Sequence, residues 1–275
     1  MALKNKVDTA LLSDVGRVRK NNEDAIAEDQ DIGLLILADG MGGYNAGEIA
    51  SGIAIATVHD HVCREWPKLR HGEIDADSGY RVEGLLLKKA IETADAAIRQ
   101  VAQSQPQCAG MGTTIVACIL HESILSIAYV GDSRLYRYRE GRLEQITRDH
   151  SLLEELIARG HYSREDAIKL VRKNIVTRAL GTEENAKVDV IEETIEPGDM
   201  LLLCSDGLND MVSDEAIGLT LGRYADNVEQ AAKALVNLAL ENGGRDNVSV
   251  VLARVKSSLV SAKRWRWFEH LLEWF

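Results

Sequence analysis

Four aspartates stand where an apolar run meets glycine. Asp39 follows LLILA and precedes Gly40, Asp132 follows SIAYVG, Asp206 follows LLLCS and precedes Gly207, and Asp246, in GGRDN, opens an apolar run instead of closing one. Any one of them could be an ordinary turn residue, because Asp-Gly is a common turn pair. If the runs are strands of two sheets packed face to face, the four acids can converge in one cleft. Carboxylates so gathered repel one another and hold their protons, a conflict that divalent metal removes. The donors offered are all oxygen, which points to hard octahedral ions such as Mg2+ or Mn2+ and away from zinc. With two such ions the natural chemistry is attack of an activated water on a phosphoryl group. Arg17 and Arg19 lie in the polar stretch before the first of these runs and are the best placed cations for a phosphate, by the bidentate geometry of guanidinium.

The elements that must position these residues can be read from periodicity. Five consecutive apolar side chains at 34–38 predict a buried strand that delivers Asp39 into a glycine turn. The stretch 13–24 (SDVGRVRKNNED) is polar and irregular and reads as a loop. Residues 47–66 and 82–103 repeat apolar side chains at helical spacing, with a polar loop between them. From 113 to 147 the pattern shifts to short β-rich runs, TTIVACIL, ILSIAYV, RLYRYR and RLEQIT, whose brief connections predict antiparallel hairpins. Helical segments follow at 151–159 and at 163–172, the second with a capping box of Ser163 and Asp166. Strands at 186–193 and 200–204, helices at 213–221 and 227–240, and a last strand at 248–255 complete the chain. Strands grouped in runs with helices gathered elsewhere predict an α+β fold of packed antiparallel sheets covered by helices.

The totals narrow the partners. A formal charge of −11 on 275 residues disfavours a nucleic-acid surface. Cys63, Cys108, Cys118 and Cys204 have no CxxC spacing and read as small core residues of a reduced compartment. The N-terminus lacks an apolar stretch of signal-peptide length, and no uninterrupted apolar run approaches the roughly 18 residues of a membrane span. The expected location is the cytoplasm, with a peripheral membrane position open through the tail. That tail, 257–275, holds three of the four tryptophans and both phenylalanines, with Lys263, Arg264 and Arg266 near its start. As a helix it could dock on a protein or a membrane surface, or pack on its own domain.

In its ordered motifs SDVGRVRKNNEDA, LADGMGGYNAGEIAS, GMGTTIVACIL, AYVGDSRLYRYREGRLEQITRDHS, VTRALG, LLLCSDGLNDMV and GGRDNVSVVL, the chain resembles the metal-dependent PP2C-type protein Ser/Thr phosphatases, in particular their bacterial branch. The resemblance spans 13–253 and implies a β-sandwich of two antiparallel sheets flanked by helices, a PP2C-like four-layer αββα arrangement. It implies one phosphatase domain over 1–256, with a flap at about 151–174 and the tail beyond. Position by position it implies that Asp39 bridges two ions of Mn2+ or Mg2+, with the Gly40 carbonyl as a further ligand. Asp206 and Asp246 complete the first metal, and Asp132 with Asp206 would hold a third. Glu23 and Asp24 match an acidic pair in contact with metal-bound waters. Arg19 matches the phosphate-binding arginine, which leaves Arg17 as surface.

The implied activity is hydrolysis of phosphoserine and phosphothreonine in proteins by in-line attack of a metal-bridging water, opposing bacterial Ser/Thr kinases. The implied partners are phosphorylated kinase substrates or the kinase itself, and the implied state is a monomer. Cys204, inside an apolar strand, reads as packing and not as a nucleophile. Met41, as in bacterial relatives, stands where animal members have histidine, and Tyr44 stands where relatives often have histidine, so the group that protonates the leaving oxygen is unassigned. His150 and His161, flanking the flap helix, read as structural or solvated. Two alternative readings are a non-catalytic regulator of the same fold acting through its tail, and a phosphatase of a small phosphoserine regulator in a stress pathway.

Overall fold

The computed structural model describes residues 3, 5–43, 46–160, 162, 166, 175–182 and 186–259. Its strands are β1 (Val7–Asp14), β2 (Asp24–Asp29), β3 (Leu34–Met41), β4 (Gly112–Thr113), β5 (Ile115–His121), β6 (Ile124–Val130), β7 (Arg134–Arg139), β8 (Arg142–Gln145), β9 (Asp189–Thr194), β10 (Met200–Cys204) and β11 (Val248–Val255). Its helices are α1 (Ala46–Glu65), α2 (Val82–Ser104), α3 (Leu152–Ala158), α4 (Asp206–Asn209), α5 (Asp214–Arg223) and α6 (Val228–Glu241). One sheet runs β1-β11-β10-β7-β8 and the other β2-β3-β5-β6-β9, with β4 paired to β3. All the strand pairings are antiparallel.

Three apolar layers follow from the two-residue period of the strands. Leu35 and Leu37 of β3, Val116, Cys118 and Leu120 of β5, Leu201 and Leu203 of β10, and Val251 and Ala253 of β11 fill the space between the sheets. The alternate residues Leu34, Ile36 and Ala38 face the other way and pack with Ala50, Ala54 and Val58 of α1 and Leu87 and Ile91 of α2. On the opposite outer face Leu202, Cys204 and Leu252 pack against α5 and α6 through Ile217, Leu221, Leu235 and Ala239. The part of β3 that is buried on both faces, Leu34–Ala38, has to be apolar throughout, as its sequence is.

Three local expectations are corrected. The stretch expected to be a loop from residue 13 begins inside β1 and ends on the first residue of β2, and the segment before it is also strand. β3 runs on through Met41, so Asp39 lies within the strand, opposite Asp24, and not in a turn. β6 and β7 belong to different sheets and are not a hairpin. The chain crosses between sheets at Gly131, where φ is +111°. A side chain there would collide with Cβ and Cγ2 of Thr114 as well as strain the backbone. All of the expected helix at 163–172 except Asp166, together with His161, Tyr44 and most of the tail, lies outside the described residues.

Candidate active site

The residues that face the inter-sheet space are leucine, valine and isoleucine along most of each strand and turn polar together at one end. Counting by twos outward from the core gives Asp39 on β3, Asp24 on β2 beyond Ile26, Thr114 before β5, Ser133 before Leu135, Ser205 after Leu203, and Ser249 and Asn247 before Val251. The mouth of the sandwich is thus floored by hydroxyls and rimmed by carboxylates.

Backbone bonds fix Asp39 in place. Its carbonyl accepts from Thr114 N–H at 2.8 Å and from the Thr113 hydroxyl at 2.8 Å. Its N–H donates to Thr114 Oγ1 at 3.2 Å, and that hydroxyl bonds Ser133 Oγ at 2.7 Å. Next to it, Gly40 N–H donates to the Glu23 carbonyl at 3.1 Å. A Cβ on Gly40 would run into the carbonyl oxygens of Gly47 and Glu23, so only glycine lets the first turn of α1 approach this point.

The acids crowd one another. Asp39 is half-buried and held well above the usual carboxylate range, first by desolvation and then by the charges of Asp24, Asp206, Asp132 and Asp246. Burial likewise holds Asp206 well above that range, reinforced by Asp132, Asp210, Asp246 and Asp24. Asp24 is lifted to about 6 by burial, with Ser249 and Ser205 opposing. Asp132 is lifted to about 6 by burial and by Asp149. Asp24 Oδ2 accepts from Ser205 Oγ at 2.8 Å, while Oδ1, also buried, has no hydrogen-bond partner among the described residues. Asp246, at the rim, takes Arg19 Nη2 on Oδ2 at 2.6 Å and the Asn247 N–H on Oδ1 at 2.9 Å. Glu23 sits partly buried beside Arg19, its carboxyl raised by burial.

Such a nest fits divalent cations. Every donor is an oxygen, burial and then the neighbouring acids push the carboxylates of Asp39 and Asp206 up, and Oδ1 of Asp24 has no partner among the described residues. A consequence can be measured in the metal-free protein. Unfolded aspartates release their protons near 3.9, whereas Asp24 and Asp132 keep theirs to about 6 in the fold. The native state therefore binds more protons between these values, and stability falls as pH rises through that window, by on the order of 3 kcal/mol for each carboxyl. Thermal melts in chelator are expected to lose stability from these groups from pH 4 to 6, and Mn2+ is expected to remove the loss. Mn2+ affinity is expected to rise with pH across the same range, because binding displaces the protons. Melts whose pH dependence is unaffected by Mn2+ would contradict the assignment.

A family model described as protein phosphatase 2C matches residues 17–242. The chain belongs to the protein phosphatase 2C family. It is 38% identical over 243 residues to the serine/threonine phosphatase Stp of Listeria monocytogenes, covering 87% of this chain and 92% of that one. The crystal structure of the Mycobacterium tuberculosis serine/threonine phosphatase PstP/Ppp aligns with a TM-score of 0.79 and 36% identity, over 91% of this chain and 99% of that one. The catalytic domain of PstP in complex with two manganese ions aligns with a TM-score of 0.76 and 36% identity, over 92% of this chain and 99% of that one.

In this phosphatase 2C chain the structure brings Asp39, Asp132, Asp206 and Asp246 into one charged cluster, and Asp24 with them. Glu23, the residue before β2, has its carboxyl beside Arg19 and against Gly47 at the start of α1. Arg19 reaches the rim, while Arg17 is exposed and its backbone N–H donates to the Gly244 carbonyl at 2.7 Å. Cys204 faces the outer helices, and burial pushes its thiol up to about 12, which makes it packing. His150 is buried and stacks on Tyr129 at 5.0 Å. Its Nδ1 accepts from Gly131 N–H at 3.0 Å, so Nε2 carries the proton toward Asp189 at 3.2 Å. It braces the crossing that carries Asp132.

Sequence reasoning missed the polar floor. Asn247 is the most heavily used residue in it: Oδ1 accepts from Glu23 N–H at 2.9 Å, and Nδ2 donates to the carbonyls of Val15 and Asn21, both at 3.0 Å. The Asn beside Asp246 in GGRDN was the available signal. Ser205 and Thr114 became visible only with the strand register.

Proposed function

We propose that this chain is a Mn2+- or Mg2+-dependent protein phosphatase that hydrolyses phosphoserine and phosphothreonine in proteins, and that Asp39, the Gly40 carbonyl, Asp206 and Asp246 hold two ions, with Asp132 and Asp206 available for a third. The observation that carries this reading is the half-buried cluster of carboxylates under an exposed arginine. Bound there, the ions would cancel the mutual repulsion of the acids and acidify a water for in-line attack on phosphorus.

The chain's own residues supply position and selectivity. Asp39 is central to the acid cluster and is locked by three hydrogen bonds on its backbone and one between Thr114 and Ser133, so its carboxylate needs little reorganisation. Asp24 and Glu23 border the cluster and are placed to accept hydrogen bonds from water around it. Arg19 offers a planar fork at the rim, where a phosphate's two oxygens can be held. In the structure that fork rests on Asp246, so substrate has to draw it away. Cys204 offers no nucleophile, which fits direct hydrolysis without a phosphoenzyme. Phosphorylated kinase substrates, or the kinase itself, are the partners that such a site serves.

The test is hydrolysis of p-nitrophenyl phosphate and of a phosphothreonine peptide with Mn2+, with Mg2+ and with EDTA. Turnover is expected with either ion and none with chelator. Arg19→Ala is expected to raise KM for the peptide by about tenfold or more, on the scale of one lost charge-assisted hydrogen bond of 1.5–3 kcal/mol. Turnover that survives EDTA would refute the metal reading. Leu259 is buried with Leu3, Val7 and Val255, so the domain runs past the expected end at 256, and we propose a surface-docking tail beyond it. Deleting residues 260–275 is expected to abolish liposome binding and leave the melting transition in place, whereas a lost transition would assign the tail to the domain core.

A further inference from the structure

The end of the sandwich opposite the acid-lined mouth carries a different set of donors. β5 runs from beside Thr114 to His121, which puts its last residue about 20 Å from the acid cluster at 3.2–3.4 Å per residue. His121 faces the helix layer. There it meets Glu83 in the first turn of α2 and His71 in the loop that joins α1 to α2.

Glu83 Oε1 lies 3.4 Å from His71 Nδ1 and 3.9 Å from His121 Nε2, and the ligand atoms of the three residues all lie within 4.8 Å of one another. Oε1 also accepts from Gly72 N–H at 2.8 Å. Glu83 is 1% exposed, and its Oε2 has no hydrogen-bond partner among the described residues. A buried carboxylate oxygen without a donor is costly, and nothing in the reaction at the mouth uses it. The two imidazoles are themselves held. Trp66 lies 4.3 Å from His71 and 5.8 Å from His121, ring centre to ring centre, and the histidine rings are 5.1 Å apart.

We propose that His71, Glu83 and His121 form a second metal site, of the transition-metal class that Zn2+ represents. Tetrahedral zinc with bonds of 2.0–2.2 Å needs ligand atoms about 3.4 Å apart, and the observed spacings reach that by small ring rotations. Two imidazoles and one carboxylate select zinc over Mg2+, and the Irving–Williams order places Zn2+ ahead of Mn2+ at such a site. The histidines are 32% and 27% exposed, so an ion can enter from solvent while the carboxylate stays inside. The fourth position is left to water. The ion would tie the α1–α2 connection, the start of α2 and the β5–β6 turn into one unit.

The experiment is calorimetric titration of the full chain with Zn2+ in excess Mg2+, so that the oxygen-lined mouth is occupied. The wild type is expected to bind one Zn2+ that Mg2+ does not displace, and its melting temperature is expected to rise. His71→Ala and His121→Ala are each expected to weaken that binding by about a hundredfold or more, beyond the 10–100-fold effect of losing an outer-shell partner. Mg2+-supported hydrolysis of aryl phosphate close to the wild-type rate in these variants shows that they fold. His59→Ala, in the nearby group of Asp29, His59 and Cys63, is expected to keep the binding. The proposal is overturned if no Mg2+-resistant Zn2+ binds, if both His71→Ala and His121→Ala bind as the wild type does, or if binding is lost in His59→Ala instead.

Discussion

Asp39→Asn is expected to lower Mn2+-dependent hydrolysis of p-nitrophenyl phosphate by more than about a hundredfold, since even losing an outer partner of a metal ligand costs 10–100-fold. The same substitution is expected to make the metal-free protein more stable at pH 8. The charge of the half-buried Asp39 is opposed by desolvation and by four other aspartates; an amide of the same shape ends that repulsion. Activity and stability should therefore move in opposite directions, which separates loss of a metal ligand from misfolding. Thermal melts in EDTA beside initial rates in Mn2+ measure both. Undiminished turnover, or a fall in stability, would count against Asp39 as the central ligand.

The second large effect is structural. Asn247→Ala removes three hydrogen bonds that tie the 15–23 segment to the start of β11 and leaves two carbonyls and one N–H to find new partners. At about 1 kcal/mol for each bond, with a further penalty for any group left dry, the expected loss is about 3–5 kcal/mol. Urea unfolding in chelator measures it. Because Arg19 and Glu23 sit on the segment released, KM for a phosphopeptide should rise even where the variant is folded. Wild-type stability with an unchanged KM would show that the segment holds its place without Asn247.

How much of this was legible depended on which face of a strand had to be known. Asp39, Asp206 and Asp132 could be found because each ends a run of apolar residues, and such runs need no register to be seen. β1 and β2 could not, since VDTALLSD and DAIAED carry few large apolar side chains and are half-buried edge strands in the structure. The β6–β7 connection is short enough for a hairpin, and only the contact of Gly131 with Thr114 reveals that the chain changes sheets there. Ser205, Thr114 and Asn247 are common surface residue types. They become site residues only when counted back by twos from Leu203, Val116 and Val251. The grouping of His71, Glu83 and His121 had no sequence signal, because three elements far apart in the chain supply one donor each.

The gradation from leucine to hydroxyl to carboxylate along the inward face has a bearing on how the protein reaches its fold. Slipping β3 by one residue against its neighbours would turn Leu35 and Leu37 toward the helices and swing Asp39 out of the mouth with them. The hydrophobic alternation that builds the sandwich therefore proofreads the alignment of the acids: a chain that has packed its leucines correctly has already set the spacing of its carboxylates.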